Sequence, residues 1–283
     1  MPTEIAPIGP IGPIGPIGAA ETVEADRQAA LAFALVLADV AEPITMGHFR
    51  SADLVIETKP DLTEVTIADR STEQAIRDAI LRGRPGDGIV GEEHGDVASS
   101  TGSRWIVDPI DGTSNYTRGV PIWATLIARE HNGVLDVGVV SAPALGLRWW
   151  AAKGLGAYAD GRRMSVSAVS DLQHCFLSYS ESPEWNSRGR RANIDALRSA
   201  VGRERAFGDF WQHMMVAEGQ IDIAAEAVVS FWDLAALLVI VEEAGGRFSD
   251  LEGNVHAEGG SAVSTNGKLH DTVLRALGAN PVP

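Results

Sequence analysis

Two carboxylates three residues apart, Asp108 and Asp111, close the apolar run Trp105-Ile106-Val107, and Gly112-Thr113-Ser114-Asn115 follows at once. A buried strand that stops in two acids, a proline and a glycine turn gathers carboxylates, carbonyl oxygens and the free amides of a helix start. Oxygen ligands of this kind hold hard cations such as Mg²⁺, and the amides after Gly112 suit an anion. A cation and a phosphate group would meet there. Two further acidic segments are candidates for the same cluster: Gly91-Glu92-Glu93 after a short apolar run, and Trp232-Asp233 ahead of an apolar helix. Each has a plainer explanation when taken singly, Asp233 as a helix cap and Asp108/Asp111 as a polar turn.

Composition narrows the chemistry. The chain has 283 residues, 23 Lys and Arg against 38 Asp and Glu, and a net charge of −15. So acidic a protein lacks the clustered basic residues that hold a phosphate backbone, which argues against nucleic acid as a partner. Cys175 is the sole cysteine, so neither a disulfide framework nor a cysteine metal cluster can form, and a cytoplasmic setting fits. No uninterrupted apolar run reaches the ~18 residues of a membrane span, and no signal-peptide layout opens the chain. The histidines 48, 94, 131, 174, 213, 256 and 270 form no His-x-x-x-His pair, and no Gly-x-Ser-x-Gly elbow occurs. Zinc-hydrolase and serine-hydrolase chemistry both lose support.

The elements that must position these acids can be read in outline. Residues 7–18 repeat Pro-Ile-Gly four times, so residues 1–20 are expected to form a disordered tail outside the fold. Apolar spacing predicts a helix over 21–40, short strands over 54–58 and 65–68, and a helix over 71–81 capped by Ser71. Strands are expected over 105–107, 123–129, 135–141 and 147–152, joined by turns. Beyond residue 165 strand and helix alternate: strand 175–180, helix 190–201, strand 205–207, helix 211–217, strand 221–225, helix 234–244, strand 262–264 and a last helix 270–277. That pattern is of the α+β or α/β class, with helices layered on sheets. Two subdomains follow, 21–165 with most of the acidic candidates and 166–283 with Asp233.

Three motifs in order, Gly91-Glu92-Glu93, Trp105-Ile-Val-Asp108-Pro-Ile-Asp111-Gly-Thr113-Ser-Asn115 and Phe231-Trp232-Asp233-Leu-Ala-Ala236, with Glu243-Ala-Gly-Gly246 behind, closely resemble the inositol monophosphatase family. The resemblance spans about residues 21–278. It implies the layered α-β-α-β-α sandwich of that family and a metal-dependent phosphomonoesterase. It also implies two or three Mg²⁺ per site, with Mn²⁺ able to substitute. By the same resemblance Glu92, Asp108, Asp111, Asp233 and the Ile110 carbonyl are metal ligands. Glu92 and Thr113 orient the attacking water, Asp69 accepts the Thr113 hydroxyl, and Gly112 and Thr113 face the phosphate. A small phosphate ester and a homodimeric partner are implied too. Glu64 departs from the pattern, standing where bacterial relatives commonly have a proline, and is expected to loosen its loop.

The stretch Gly208-Asp209-Phe210-Trp211-Gln212-His213 resembles the histidinol-phosphate branch of the family more than the inositol branch. Asp209 and Glu226 would then compensate an ammonium group, with Trp211 stacking on the substrate. Inositol 1-phosphate, sugar phosphates or nucleotides are alternative substrates, since ring hydroxyls also donate to carboxylates. A non-catalytic metal-binding or interaction protein on the same fold is the rival from another class. The set Glu92, Asp69, Asp108, Asp111, Thr113 and Asp233 speaks against it, because a scaffold has no need of so many clustered acids.

Overall fold

The computed structural model describes residues 19–59, 64–180 and 182–279. The Pro-Ile-Gly repeat lies outside them, and so does most of the loop before Glu64. Ala19 and Ala20, expected in the tail, already belong to the first helix.

In chain order the elements are α1 (Ala19–His48), β1 (Ile56–Thr58), β2 (Glu64–Thr66), α2 (Ile67–Gly83), β3 (Gly88–Gly91), β4 (Ser103–Asp111) and α3 (Thr113–Thr117). There follow β5 (Ala124–His131), β6 (Val134–Ala142), β7 (Leu147–Ala152), β8 (Gly156–Ala159), β9 (Arg162–Arg163), β10 (Phe176–Tyr179), α4 (Ser182–Ser187) and α5 (Arg191–Ala200). The chain closes with β11 (Arg203–Glu204), α6 (Asp209–Ala217), β12 (Ile223–Glu226), α7 (Phe231–Glu243), β13 (Arg247–Ser249), β14 (Ala262–Thr265) and α8 (His270–Ala276).

Strands β3 to β9 form one seven-stranded sheet in sequence order. Strands β10 to β14 form a five-stranded sheet in the order β11-β10-β12-β14-β13. Side-chain alternation shows how the layers stack. Trp105, Val107, Ile127, Val137 and Val139 pack against Ala34, Leu37, Ala38, Ile76 and Ile80 of α1 and α2. The intervening Ile106, Leu126, Ala128 and Val140 meet Phe210 and Met214 of α6 and residues 234–241 of α7. On the far side Leu177, Ile223 and Val263 of the second sheet cover Ile194, Leu197, Val273 and Leu274 of α5 and α8. The order is therefore α-β-α-β-α.

Helix α7 explains its own place. Every residue from Leu234 to Val241 is buried, so the helix has no polar face to give to water and must lie between layers. A Cβ on Gly138 would come within 2.5 Å of the Ala236 carbonyl, so β6 needs glycine where α7 crosses it.

Several boundaries differ from the sequence reading. Helix α2 begins at Ile67, four residues before the expected Ser71 cap. Thr66 is the cap, and Asp69 returns a hydrogen bond to its amide in a capping box. Helix α1 runs through Pro43 to His48 and is long and apolar enough, by length and composition, to cross a membrane. One face of it packs on the first sheet through Ala30, Ala34, Leu37 and Ala41. The loop that Glu64 was expected to loosen lies outside the described residues; Glu64 itself ties β2 to α3, its Oε2 accepting from Thr117 Oγ1 at 2.8 Å and Arg118 at 3.2 Å.

Candidate active site

Residues three apart in a regular strand face opposite sides of the sheet. β4 escapes that limit at its end: Asp108 pairs with Leu126 and Asp111 with Ala124, so Pro109 and Ile110 stand opposite Thr125 alone. This bulge re-aims the acids toward one another, and the extra carbonyl of Pro109 is taken up by Thr125 Oγ1 at 2.8 Å. Asp233 arrives from the second half of the chain as the third residue of α7, where its Oδ2 accepts the Ser230 amide at 2.9 Å. Ser230 is the cap, so Asp233 is not the cap that its position in the sequence suggests. Glu92 follows β3, which lies parallel to β4.

Glu92, Asp108 and Asp233 each offer a carboxylate oxygen, all within 4.8 Å of one another. Asp111 stands outside this trio and accepts the Phe210 amide at 2.7 Å. Burial, and then the charges of Glu92, Asp233 and Asp111, hold the Asp108 carboxyl well above the usual carboxylate range. Burial and the charges of Asp209 and Asp233 do the same to Asp111. Asp233 is pushed up to about 7 by burial first, the Ser230 amide pulling it down and Glu92 pushing it up. Glu92 is raised by burial despite the Lys59 ammonium 2.7 Å away. Like charges held together out of water repel, and a bound cation reverses that penalty. The donors are oxygens only, which suits Mg²⁺ or Mn²⁺ and not a soft metal.

Thr113 and Asp69 meet beside this cluster. Thr113 Oγ1 lies 3.3 Å from Asp69 Oδ1 and donates to the Ile110 carbonyl at 2.9 Å. Asp69 Oδ2 is occupied by the Thr66 amide at 2.7 Å and hydroxyl at 2.6 Å, which fixes the carboxylate. Gly112, at φ +83°, makes the turn from β4 into α3, and a Cβ there would lie 3.0 Å from the Ile122 carbonyl. Beneath α3, Tyr116 packs on Phe49 and Trp123 and donates from its hydroxyl to Thr45 O.

Glu73 is a residue that the sequence did not single out. Fully buried in α2, it accepts the Glu93 amide at 2.7 Å and the His94 amide at 3.2 Å, holding the turn that carries Glu92. A Cβ on Gly91 would collide with its Oε1 at 2.2 Å, so glycine is required there. The signal available was Glu73 one helical turn after Asp69 on a predicted helix, which a surface ion pair explains equally well.

A cavity of about 680 Å³ opens over Asp111 and Asp233 and is walled by Asn115, Tyr179, Phe207, Asp209 and Glu226. Five carboxylates line it, with Glu184 the fifth, and among the described residues no Lys, Arg or His does. Asp209 adopts φ +51°, a left-handed conformation that a non-glycine residue holds only under constraint. Its Oδ2 accepts the Asn115 amide at 2.9 Å. Trp211, expected to stack on a substrate, instead turns its ring edge-on to Phe207 at 5.5 Å and does not line the cavity.

The model of the inositol monophosphatase family matches residues 26–281. The chain belongs to the inositol monophosphatase family. Within it, the chain is 54% identical over 254 residues to a histidinol-phosphatase of Mycobacterium tuberculosis, covering 88% of this chain and 98% of that protein. It is 48% identical to a histidinol-phosphatase of Streptomyces coelicolor, covering 87% and 96%. Among solved structures, the extragenic suppressor protein suhB of Bartonella henselae superposes with a TM-score of 0.81 at 28% identity, covering 89% and 99%. The expected family sandwich is therefore the observed fold.

This inositol monophosphatase family member thus brings together Glu92, Asp108, Asp111, Asp233, Asp69 and Thr113 at one end of the first sheet. Asp209 and Glu226 face the same cavity from the second half of the chain. The Ile110 carbonyl is engaged by Thr113, and only Trp211 points elsewhere.

Proposed function

We propose that this protein is a Mg²⁺-dependent phosphomonoesterase that hydrolyses histidinol phosphate. The carrying observation is a cavity over the carboxylate cluster that five acids line and, among the described residues, no cationic side chain lines. A phosphate group cannot dock against bare carboxylates, so cations held by Glu92, Asp108, Asp111, Asp233 and the Ile110 carbonyl must mediate its binding. Bound there, they supply Lewis-acid stabilisation of the phosphoryl oxygens and a more acidic water.

The chain's own groups do the rest. With the Ile110 carbonyl given to a cation, the single Thr113 hydroxyl hydrogen would turn from that carbonyl to Asp69 Oδ1, 3.3 Å away, leaving the Oγ1 lone pairs free to accept from the attacking water. Glu92 accepts the water's second hydrogen bond. A loose phosphoryl-transfer transition state needs positioned water and neutralised oxygens more than a protein nucleophile. Asp209 and Glu226 then face the leaving alcohol, and an ammonium group compensates them as a neutral polyol does not. The two relatives named for histidinol phosphate, the more similar at 54% identity, agree with that choice.

Phosphate release from histidinol phosphate and inositol 1-phosphate, each with Mg²⁺ and with chelator, tests the reading. We expect release with Mg²⁺ only, and a higher kcat/KM for histidinol phosphate. Activity that survives chelation defeats the metal assignment, and preference for inositol 1-phosphate defeats the substrate. Asp209→Asn should weaken histidinol phosphate by ~1.5–3 kcal/mol, the worth of a hydrogen bond to a charged group, and inositol 1-phosphate much less. An unmoved ratio removes Asp209 from the pocket.

A further inference from the structure

A chain of buried hydrogen bonds behind the cavity wall ends on Glu226. Gln212 and His213, neighbours in α6 and both fully buried, reach the same carboxylate. Gln212 Nε2 donates to Oε1 at 2.7 Å, and His213 Nε2 lies 3.1 Å from Oε2. Each is itself held. Ser178 Oγ donates to Gln212 Oε1 at 2.7 Å while accepting the Phe207 amide at 3.1 Å, and His213 Nδ1 lies 2.6 Å from Ser264 Oγ.

Packing gives no reason for this arrangement. The other buried positions of α6 are apolar, Phe210, Met214, Val216 and Ala217. Burying an amide, an imidazole and a carboxylate costs free energy unless every group is paired, so a core of Leu or Met would be cheaper. Among the described residues no Lys or Arg is paired with Glu226, whose carboxylate lines the cavity. A carboxylate has about four lone-pair sites, and the two donors behind it claim one on each oxygen. The remaining sites are left for a donor in the cavity.

We infer that Gln212 and His213 are positioning residues for substrate choice, holding Glu226 as a fixed anionic acceptor for the ammonium group of the leaving alcohol. This rests on the reading of the site as a histidinol-phosphate phosphatase. It assigns selectivity to two side chains that never touch the substrate.

The test uses Gln212→Met and His213→Phe, which keep volume and remove the donors, assayed with Mg²⁺ on histidinol phosphate and on p-nitrophenyl phosphate, which has no ammonium group. Each variant should lose about tenfold or more in kcat/KM for histidinol phosphate, mostly through KM, as expected when one hydrogen bond to a charged group is lost. The loss on p-nitrophenyl phosphate should be several-fold smaller, and His213→Gln, which restores a donor, should recover much of the difference. Equal losses on both esters, or none, overturn the inference by reducing the pair to packing. If His213→Phe does not fold, His213→Asn is judged by the same ratio. A wild type that prefers inositol 1-phosphate defeats the substrate reading and, with it, Glu226 as an ammonium acceptor; the ratio of that ester to p-nitrophenyl phosphate in the variants then decides separately whether the pair positions Glu226 at all.

Discussion

Two groups of acids sit at opposite ends of the first sheet. At one end Asp136 of β6 is gripped by Arg129 of β5 through two hydrogen bonds, at 3.0 and 2.8 Å, with Arg129 also donating to Asp26 at 2.7 Å. At the other end Asp108, Asp111 and Asp233 face one another, and the nearby ammonium of Lys59 reaches Glu92 and Glu93 instead. The hydrogen bond from Arg129 pulls Asp26 below its ordinary range, whereas burial and mutual repulsion push Asp108 and Asp111 well above it. Asp136 is as buried as Asp108 and Asp111, while Asp26 at the rim is exposed, so between the buried acids what differs is whether the cation is built in. Where the chain supplies the guanidinium, the acids serve stability. Where it withholds one, they are competent to bind an ion from outside.

The largest expected effect breaks the first group. Arg129→Met leaves Asp136 buried without its partner and should destabilise the fold by about 3–5 kcal/mol in denaturant titration, while activity per folded molecule is preserved. Adding Asp136→Leu should return much of that loss. A single-variant cost below about 1 kcal/mol would show that the pair is solvated and the comparison false.

The sequence shows one of these two groups and hides the other for a physical reason. Asp108, Asp111 and Gly112 sit within one strand end and one turn, so their chemistry is local and readable, and the alternation in β4 to β6 fixes the layers. Arg129 and Asp136 are ordinary charged residues flanking a hairpin, and nothing in their spacing says that they are buried. The same holds for His213, which reads as a helix residue at a domain edge and is found at the centre of a polar network. Ser71 reads as the helix cap, yet Thr66 and Asp69 form the box, with Thr66 inside what reads as a strand. Short strands such as β8, β9 and β13 carry too few residues to show a period.

The second group is sharpened by removing charge. Asp108→Asn and Asp233→Asn each replace a charged ligand by a neutral one, and should cut kcat with Mg²⁺ by about 100-fold or more. The metal-free variants should melt no lower than the wild type, because repulsion is relieved. Unchanged turnover in either variant refutes its ligand role, and a lower melting point refutes the repulsion. Thr113→Ala should have a smaller effect, about tenfold on kcat with KM little changed, as a group that orients water acts in the transition state. A loss confined to KM would place Thr113 in substrate binding instead.

The smallest effect reads the uncompensated charge directly. A carboxyl whose folded value lies above its unfolded value binds more protons when folded, so its contribution to stability is full at low pH and is lost as pH rises through the folded value. Asp233, pushed up to about 7, gives a transition near neutrality, with Asp108 and Asp111 acting in the same sense. Buried His270, pulled down to about 4, acts oppositely below its ordinary 6.5, so the clear window lies above that pH. Between pH 6.5 and 8 the metal-free protein should lose about 1 kcal/mol, or ~2–4 °C in melting temperature, and Mg²⁺ should restore more at pH 8 than at 6.5. The paired acids around Arg129 offer no such response to Mg²⁺, so Asp136→Asn should leave the Mg²⁺-dependent gain intact while Asp233→Asn abolishes it. A melting temperature that rises with pH across this window, or a Mg²⁺ gain that survives Asp233→Asn, would place the uncompensated charge somewhere other than the end of β4.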